Sequence, residues 1–431
     1  MAAADVLVVG AGVVGASVAY HLTRLGHDRV TVVDARDRDV LSGSTSLAPG
    51  LIGQLSATPE LAVLAKDSVA TYRALSQTAP TPLFWQVGCL EVATSPARLE
   101  QAHRDVEHGR GLGIEARVLD AADAVALAPT LVNAERALGA LHIPSDGAAD
   151  PAALTHAMID AAERGGAAFR WNTPVRALES DQGRIVGVRV GEDAEPLRAD
   201  RVVLAAGIWG PVLAADAGAR LPMVAVQHPY LFTTEVAGLD DTPIDTPMVR
   251  YPDHTVYTRR HGRRYGLGTY SHAPLPLTPT STLTSAERPF READFDAAIA
   301  EATALVPAFR DAALGRRLNG VFAMTPDELP LVGPSAALPG LWFAEASWVT
   351  HAGGVGRQLA NMLLDTGDLL VAPERLAPDR FTHWSDEKIR ETALGHYQGI
   401  YDAHPLYTTA RAEQPQGGNR WSGPTTKKKK K

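Results

Sequence analysis

The chain has 431 residues, 45% hydrophobic and 21% charged, enough for two or three domains with a sizeable core. Its net charge of −8 includes five lysines at 427–431, so the remainder is more acidic still, which argues against a nucleic-acid partner. No apolar run approaches a membrane span, and the single cysteine, Cys89, allows neither an internal disulfide nor a cysteine-based metal cluster.

The stretch "DVLVVGAGVVGASVAYHLTRLG" (5–26) reads as an apolar strand, a glycine turn and a helix. It enters the strand almost at once, which leaves no room for a cleavable signal and makes a cytoplasmic protein the expectation. Gly10, Gly12 and Gly15 have G-x-G-x-x-G spacing. The first permits the tight turn and the second lets the backbone approach a pyrophosphate. The third allows close helix–strand packing, while Val13 and Val14 open the helix at the anion. "VTVVDA" (30–35) is a second strand ending at Asp34 and Ala35, where a carboxylate can accept from a ribose diol. Together these predict dinucleotide binding.

Further on, 57–78 is helical in pattern, "TPLFWQVGCLEVATS" (81–95) reads as turn and strand, and 97–128 alternates helix and polar turns. Asp150-Pro151 opens a helix as N-cap and first helical residue. Two strands follow from 167 to 191, and "ADRVVLAAGIWGPVL" (199–213) is a buried strand meeting a glycine. Residues 221–272 are strand-rich, 290–306 is helical in pattern, and "GLWFAEASWVTHAGGVGRQLANMLL" (340–364) reads as strand, glycine turn and helix. A C-terminal extension is expected over 373–413 and a disordered tail over 414–431, its lysines either natural or added. The histidines are dispersed without ligand spacing, so no metal site is expected.

FAD and NAD share the glycine fingerprint. The motif's place near the N-terminus, the second Ala-Gly strand at 202–207 and the glycine-rich helix start near 353 favour FAD, and no second complete fingerprint offers a nicotinamide site.

The order "GAGVVG", "GSTSLAPG", "QVGCLEVATS", "LHIPSDG", "AAGIWG", "QHPYLFTT", "VYTRRHGRRYGLGTYSHAP", "NGVFAMTPDELPLVGPS" and "AEASWVTHAGG" resembles the FAD module of dimethylglycine oxidases. It is similar, less closely, to sarcosine and dimethylglycine dehydrogenases, all D-amino-acid-oxidase-like flavoproteins. The resemblance covers roughly residues 5–407 and implies an α/β fold, a Rossmann-like FAD-binding domain interleaved with a β-rich substrate domain. The expected boundaries are 1–85, 145–220 and 318–372 for FAD, and 86–144 with 221–317 for substrate.

The resemblance also implies oxidation of a secondary or tertiary N-methyl amine. It assigns His228 and Tyr257 to the reaction, the histidine as proton acceptor or relay and the tyrosine as substrate-orienting group. His272 is a weaker pocket candidate. FAD contacts are expected from Ser44, Thr45, Ser46, Leu47, Leu51, Val175, Ala206, Gly207, Trp209, Ser347, Trp348, Val349, Thr350 and His351, with Gly353 and Gly354 forming the turn. Two departures stand out. Leu47 replaces the histidine that carries flavin covalently in the family, which implies FAD held non-covalently. No folate-binding half follows "IYDAHPLYTTARAEQP" (400–415), so the one-carbon product is expected to hydrolyse to formaldehyde or pass to another protein. A flavin-binding subunit working with a folate-handling partner is the alternative; retention of His228 and Tyr257 weighs against it.

Overall fold

The computed structural model describes residues 4–191, 196–241, 244–310 and 312–402; the expected tail and the last residues of the C-terminal extension lie outside them. Its strands sort into an eight-stranded sheet, a ten-stranded sheet and a three-stranded sheet formed by Leu51–Ile52, Phe84–Trp85 and Gly147–Ala149.

The eight-stranded sheet is centred on Ala4–Val9, parallel to Val30–Val33 on one side and to Leu197–Leu204 on the other. Leu341–Glu345 extends the parallel set beside Leu197–Leu204. Val6, Val8, Val32 and Val203 are fully buried, as expected for strands covered on both faces. Each such side chain contributes roughly 1.5–3 kcal/mol of transfer free energy. The helices Val13–Arg24, Pro59–Thr78, Pro151–Arg164 and Val349–Leu364 pack over one face. Asp150 caps the third of them, its Oδ1 accepting from the Ala153 N–H at 3.0 Å.

The ten-stranded sheet runs in the order Glu287–Arg288, Leu314–Met324, Val224–Thr233, Arg264–Thr269, Val256–His261, Met248–Tyr251, Cys89–Ala93, Gly139–Ile143 and Arg117–Asp120, with Leu275–Leu277 beside Val224–Thr233. The expected boundary at 317/318 falls inside Leu314–Met324. That strand pairs with Val224–Thr233 along its length, so ladder continuity keeps all of it in the ten-stranded sheet. The chain rejoins the other sheet at Leu331–Pro334.

One expectation needs correction. Gly353 and Gly354 do not form a turn: both lie within the helix Val349–Leu364, and the chain reverses at Ala346–Trp348 instead. Their missing side chains serve helix packing, because a Cβ at Gly354 would stand 2.4 Å from the Leu64 carbonyl oxygen and one at Gly353 2.7 Å from the Ser68 Cα. The stretch after Pro373 also carries a helix, Asp386–Gln398, whose N-cap Ser385 accepts from the Lys388 N–H at 3.1 Å.

Candidate active site

Parallel strands deliver their C-terminal ends to one rim of a cavity of about 830 Å³ whose other wall is the ten-stranded sheet. At the rim, Gly10 has φ +105° and a Cβ there would stand 2.4 Å from the Ala205 carbonyl oxygen, so only glycine lets the two strand ends meet. Gly15 lies behind, where a Cβ would meet the Gly10 carbonyl at 1.9 Å. Gly12 caps the helix Val13–Arg24 without a side-chain bond of its own, and Gly12, Val13 and Val14 line the cavity. Asp34 is fixed by the N–H groups of Ala11 (2.8 Å to Oδ2) and Arg36 (2.9 Å to Oδ1), with lone pairs left for a diol.

Ser44–Leu47 is a single 3₁₀ turn. The Ser44 hydroxyl donates to the Val321 carbonyl at 2.5 Å, and Thr45 Oγ1 accepts from the Val13 N–H at 3.2 Å. From the far side, the buried Arg259 guanidinium donates to the carbonyls of Pro49 (2.5 Å) and Ala149 (3.0 Å). Thr350 donates to the Leu51 carbonyl at 3.0 Å, and the Trp209 indole N–H to Leu283 at 2.7 Å.

Of the cofactor residues expected from sequence, Gly10, Gly12, Val13, Val14, Asp34, Ala35, Ser44, Thr45, Leu47, Leu51, Val175, Ala206, Gly207, Trp209, Ser347, Trp348, Val349, Thr350 and His351 line this one cavity. Gly15, Ser46, Gly353 and Gly354 do not; Ser46 is exposed and its hydroxyl turns back to the Gly43 carbonyl. Leu47 sits against Gly320, 3.4 Å from where a Cβ would be, and packs with Ile208 and Val321.

Glu345 was not expected from sequence. It is 1% exposed, Oε1 accepts from the Ala206 N–H at 2.8 Å, and Oε2 has no protein partner. Burial pushes its carboxyl up to about 8, against hydrogen bonds from Ala206 and Gly207 that favour the charged form. Burial thus favours the protonated form, whose O–H a phosphate or ribityl oxygen of a bound flavin would meet. An orphaned donor beside a glycine cradle fits FAD. Because the folded chain holds this proton up to about pH 8 while the unfolded chain releases it near the ordinary 4.5, the group's contribution to stability falls as pH rises across that window. Glu345→Gln should flatten this: its thermal midpoint relative to the unmodified protein improves from pH 5 to pH 8.5, and an unchanged difference would refute the assignment.

At the far wall, side chains form a row across the ten-stranded sheet. Register pairs Glu91 with Arg250, Arg250 with Tyr257, Tyr257 with Gly268, and Gly268 with Tyr230. Paired residues share a face, so the four side chains stand side by side on the cavity floor. Gly268 makes room, since a Cβ there would lie 2.2 Å from Tyr257 Cζ. The Tyr230 and Tyr257 rings stack at 5.8 Å. His228, two residues before Tyr230 on the same strand, also lines the cavity, with Nε2 2.7 Å from the Tyr257 hydroxyl and Nδ1 2.7 Å from that of Tyr397, which does not line it. Burial holds His228 well below the usual imidazole range and Tyr257 well above the usual phenol range, so both are neutral at pH 7. His272 does not line the cavity; it stands behind Tyr397, 3.0 Å from that hydroxyl.

Sequence reasoning missed Arg250, Glu91 and Tyr397. Arg250 Nη1 reaches Glu91 Oε1 at 3.2 Å, while its Nε is buried without a partner. Its 21% exposure opens into the cavity. The strand alternation around "MVRY" gives the face of Arg250, but only the pairing with Tyr257 gives its place.

A dinucleotide cradle opening onto a walled reaction chamber is the layout of a flavin-dependent oxidoreductase. Residues 5–362 match the family of FAD dependent oxidoreductases named DAO, and the chain belongs to that family. It is 27% identical over 399 residues to human mitochondrial dimethylglycine dehydrogenase, covering 90% of this chain and 45% of that enzyme. It is 30% identical over 368 residues to the formaldehyde-forming 4-methylaminobutanoate oxidase of Paenarthrobacter nicotinovorans, covering 83% of this chain and 43% of the relative. The chain thus spans less than half the length of these relatives. Among solved structures, L-proline dehydrogenase from P. horikoshii shares the fold at a TM-score of 0.77 and 23% identity, covering 88% of this chain and 98% of that one. No helix among the described residues is long and apolar enough to cross a membrane.

Proposed function

We propose that the protein oxidises a secondary or tertiary amine that also bears a carboxylate, an N-methyl amino acid being the leading class, to an iminium that water hydrolyses with release of formaldehyde. The observation that carries this reading is the row Glu91–Arg250–Tyr257–Tyr230 on the cavity floor with His228 beside it, bonded to Tyr257. The Arg250 guanidinium supplies a planar fork for a carboxylate. One strand away, the Tyr257 hydroxyl is placed for the amine, whose ammonium must lose its proton before the neighbouring C–H bond can break. Bound FAD supplies the two-electron oxidant for that carbon. In this reading the eight-stranded sheet holds the cofactor and the ten-stranded sheet holds the amine.

FAD is held without a covalent bond in this reading, because Leu47 lines the cavity with a side chain that has no nucleophilic atom. The single buried cysteine suits a reducing compartment such as the cytoplasm.

The test is anaerobic addition of dimethylglycine, sarcosine and 4-methylaminobutanoate, with trimethylamine as the partner lacking a carboxylate. Bleaching of the flavin band by a carboxylated amine, with one formaldehyde per flavin reduced, is the expected result. No bleaching by any of them would overturn the reading. Acid precipitation should leave all the flavin in the supernatant; yellow pellet would refute non-covalent binding.

A further inference from the structure

From the cavity floor, where Tyr257 and His228 both line the cavity, a continuous set of hydrogen bonds leads outward. Tyr257 Oη meets His228 Nε2 at 2.7 Å, His228 Nδ1 meets Tyr397 Oη at 2.7 Å, and Tyr397 Oη meets His272 Nε2 at 3.0 Å. His272 ends the path, its Nδ1–H donating to its neighbour Ala273's carbonyl at 2.9 Å. That bond leaves Nε2 as the acceptor. His272 is 9% exposed and lies between the exposed Ser271 and Ala273. Tyr397 comes from the helix Asp386–Gln398, beyond the residues that match the family.

We propose that Tyr397 and His272 carry the substrate's proton from the Tyr257–His228 pair to the protein surface. This rests on the amine-oxidation reading. Each link is both donor and acceptor, so one proton enters and one leaves without a charge resting on the buried His228. The ammonium gives its proton to Tyr257 as the Tyr257 proton moves to His228 Nε2. The His228 Nδ1 proton then moves to the Tyr397 oxygen, and the Tyr397 proton moves to His272 Nε2. The amine is left neutral and His272 becomes an imidazolium, which loses its proton to water. Asp294 on the helix Glu292–Leu305 favours that charged form electrostatically, against the burial that disfavours it. The alternative acceptor for the Tyr397 hydroxyl, the Gln227 carbonyl at 3.2 Å, cannot pass a proton on and holds the tyrosine in place. Tyr397 and His272 are positioning residues that act through His228.

The experiment follows anaerobic flavin reduction by dimethylglycine in H₂O and D₂O. Tyr397→Phe keeps the ring and His272→Gln keeps an acceptor, yet both cut the path. Each is expected to slow reduction by less than the roughly 100-fold of losing the direct proton acceptor and to change the solvent isotope effect. His272→Gly should regain rate in proportion to added imidazole, which a packing role would not allow. Variants as fast as the unmodified protein, or slow without rescue or isotope change, would overturn the relay. A second readout needs no amine turnover. With Tyr257→Phe removing the partner at Nε2, exchange of the ¹⁵N-labelled His228 Nδ1–H reports its link to Tyr397. Its signal should be exchange-broadened in Tyr257→Phe and sharp in Tyr257→Phe/Tyr397→Phe. Identical signals would sink the relay even if the amine reading stands, while failure of every amine to bleach the flavin would sink that reading and leave the exchange result to decide the path.

Discussion

Tyr257→Phe should slow flavin reduction by the amine about 100-fold near pH 7, the lower end of what a positioned proton acceptor contributes. The ring is 5% exposed and stacked on Tyr230, so phenylalanine keeps the packing and removes only the hydroxyl that meets His228. The sign of the pH dependence follows from the same role. Below the amine's own pKa almost all substrate arrives as ammonium, and the variant lacks the group that takes its proton. As pH rises towards that pKa the neutral amine arrives ready-made, and the deficit should shrink. Stopped-flow reduction between pH 6.5 and 10 checks this. A loss of constant size across that range would assign Tyr257 a purely steric part.

Arg250→Gln should weaken binding of a carboxylated amine by roughly 10–100-fold, matching the roughly 1.5–3 kcal/mol of a charge-assisted hydrogen bond. The limiting rate of flavin reduction should change little, because Arg250 stands one strand away from Tyr257. Trimethylamine, with no carboxylate to lose, should bind the variant as it binds the unmodified protein. Removing Arg250 also strips Glu91 of its cation, so Glu91→Gln serves as the control. Equal weakening for both amine types would show a collapsed pocket instead of a lost anchor.

The cradle was legible in the sequence; of the floor only Tyr257 and His228 were, and those through resemblance. Gly10, Gly12, Gly15 and Asp34 belong to one local strand–turn–helix unit, in which spacing alone fixes geometry. Leu47 and Trp348 were legible only through resemblance, since short polar or aromatic runs have many structural uses. Gly353 and Gly354 misled because two adjacent glycines signal a turn as readily as a close helix crossing, and only the facing Leu64 and Ser68 decide between them. Arg250 and Glu91 belong to different strands, 159 residues apart in sequence. Their partnership is created by sheet register, which no local pattern encodes. Tyr397 was hidden in the same way, a single aromatic on a polar helix whose docking site lies on the strand Val224–Thr233.

The central position of Ala4–Val9 has a consequence for how the chain is made. Its neighbour Leu197–Leu204 emerges from the ribosome almost two hundred residues later, and Leu341–Glu345 later still. At about 5–20 residues per second the first strand waits roughly 10–40 s for that partner. During that time one long apolar edge of "DVLVVG" (5–10) is open to any passing strand. Synthesis speed and chaperone occupancy, more than final stability, should therefore govern the yield of folded protein.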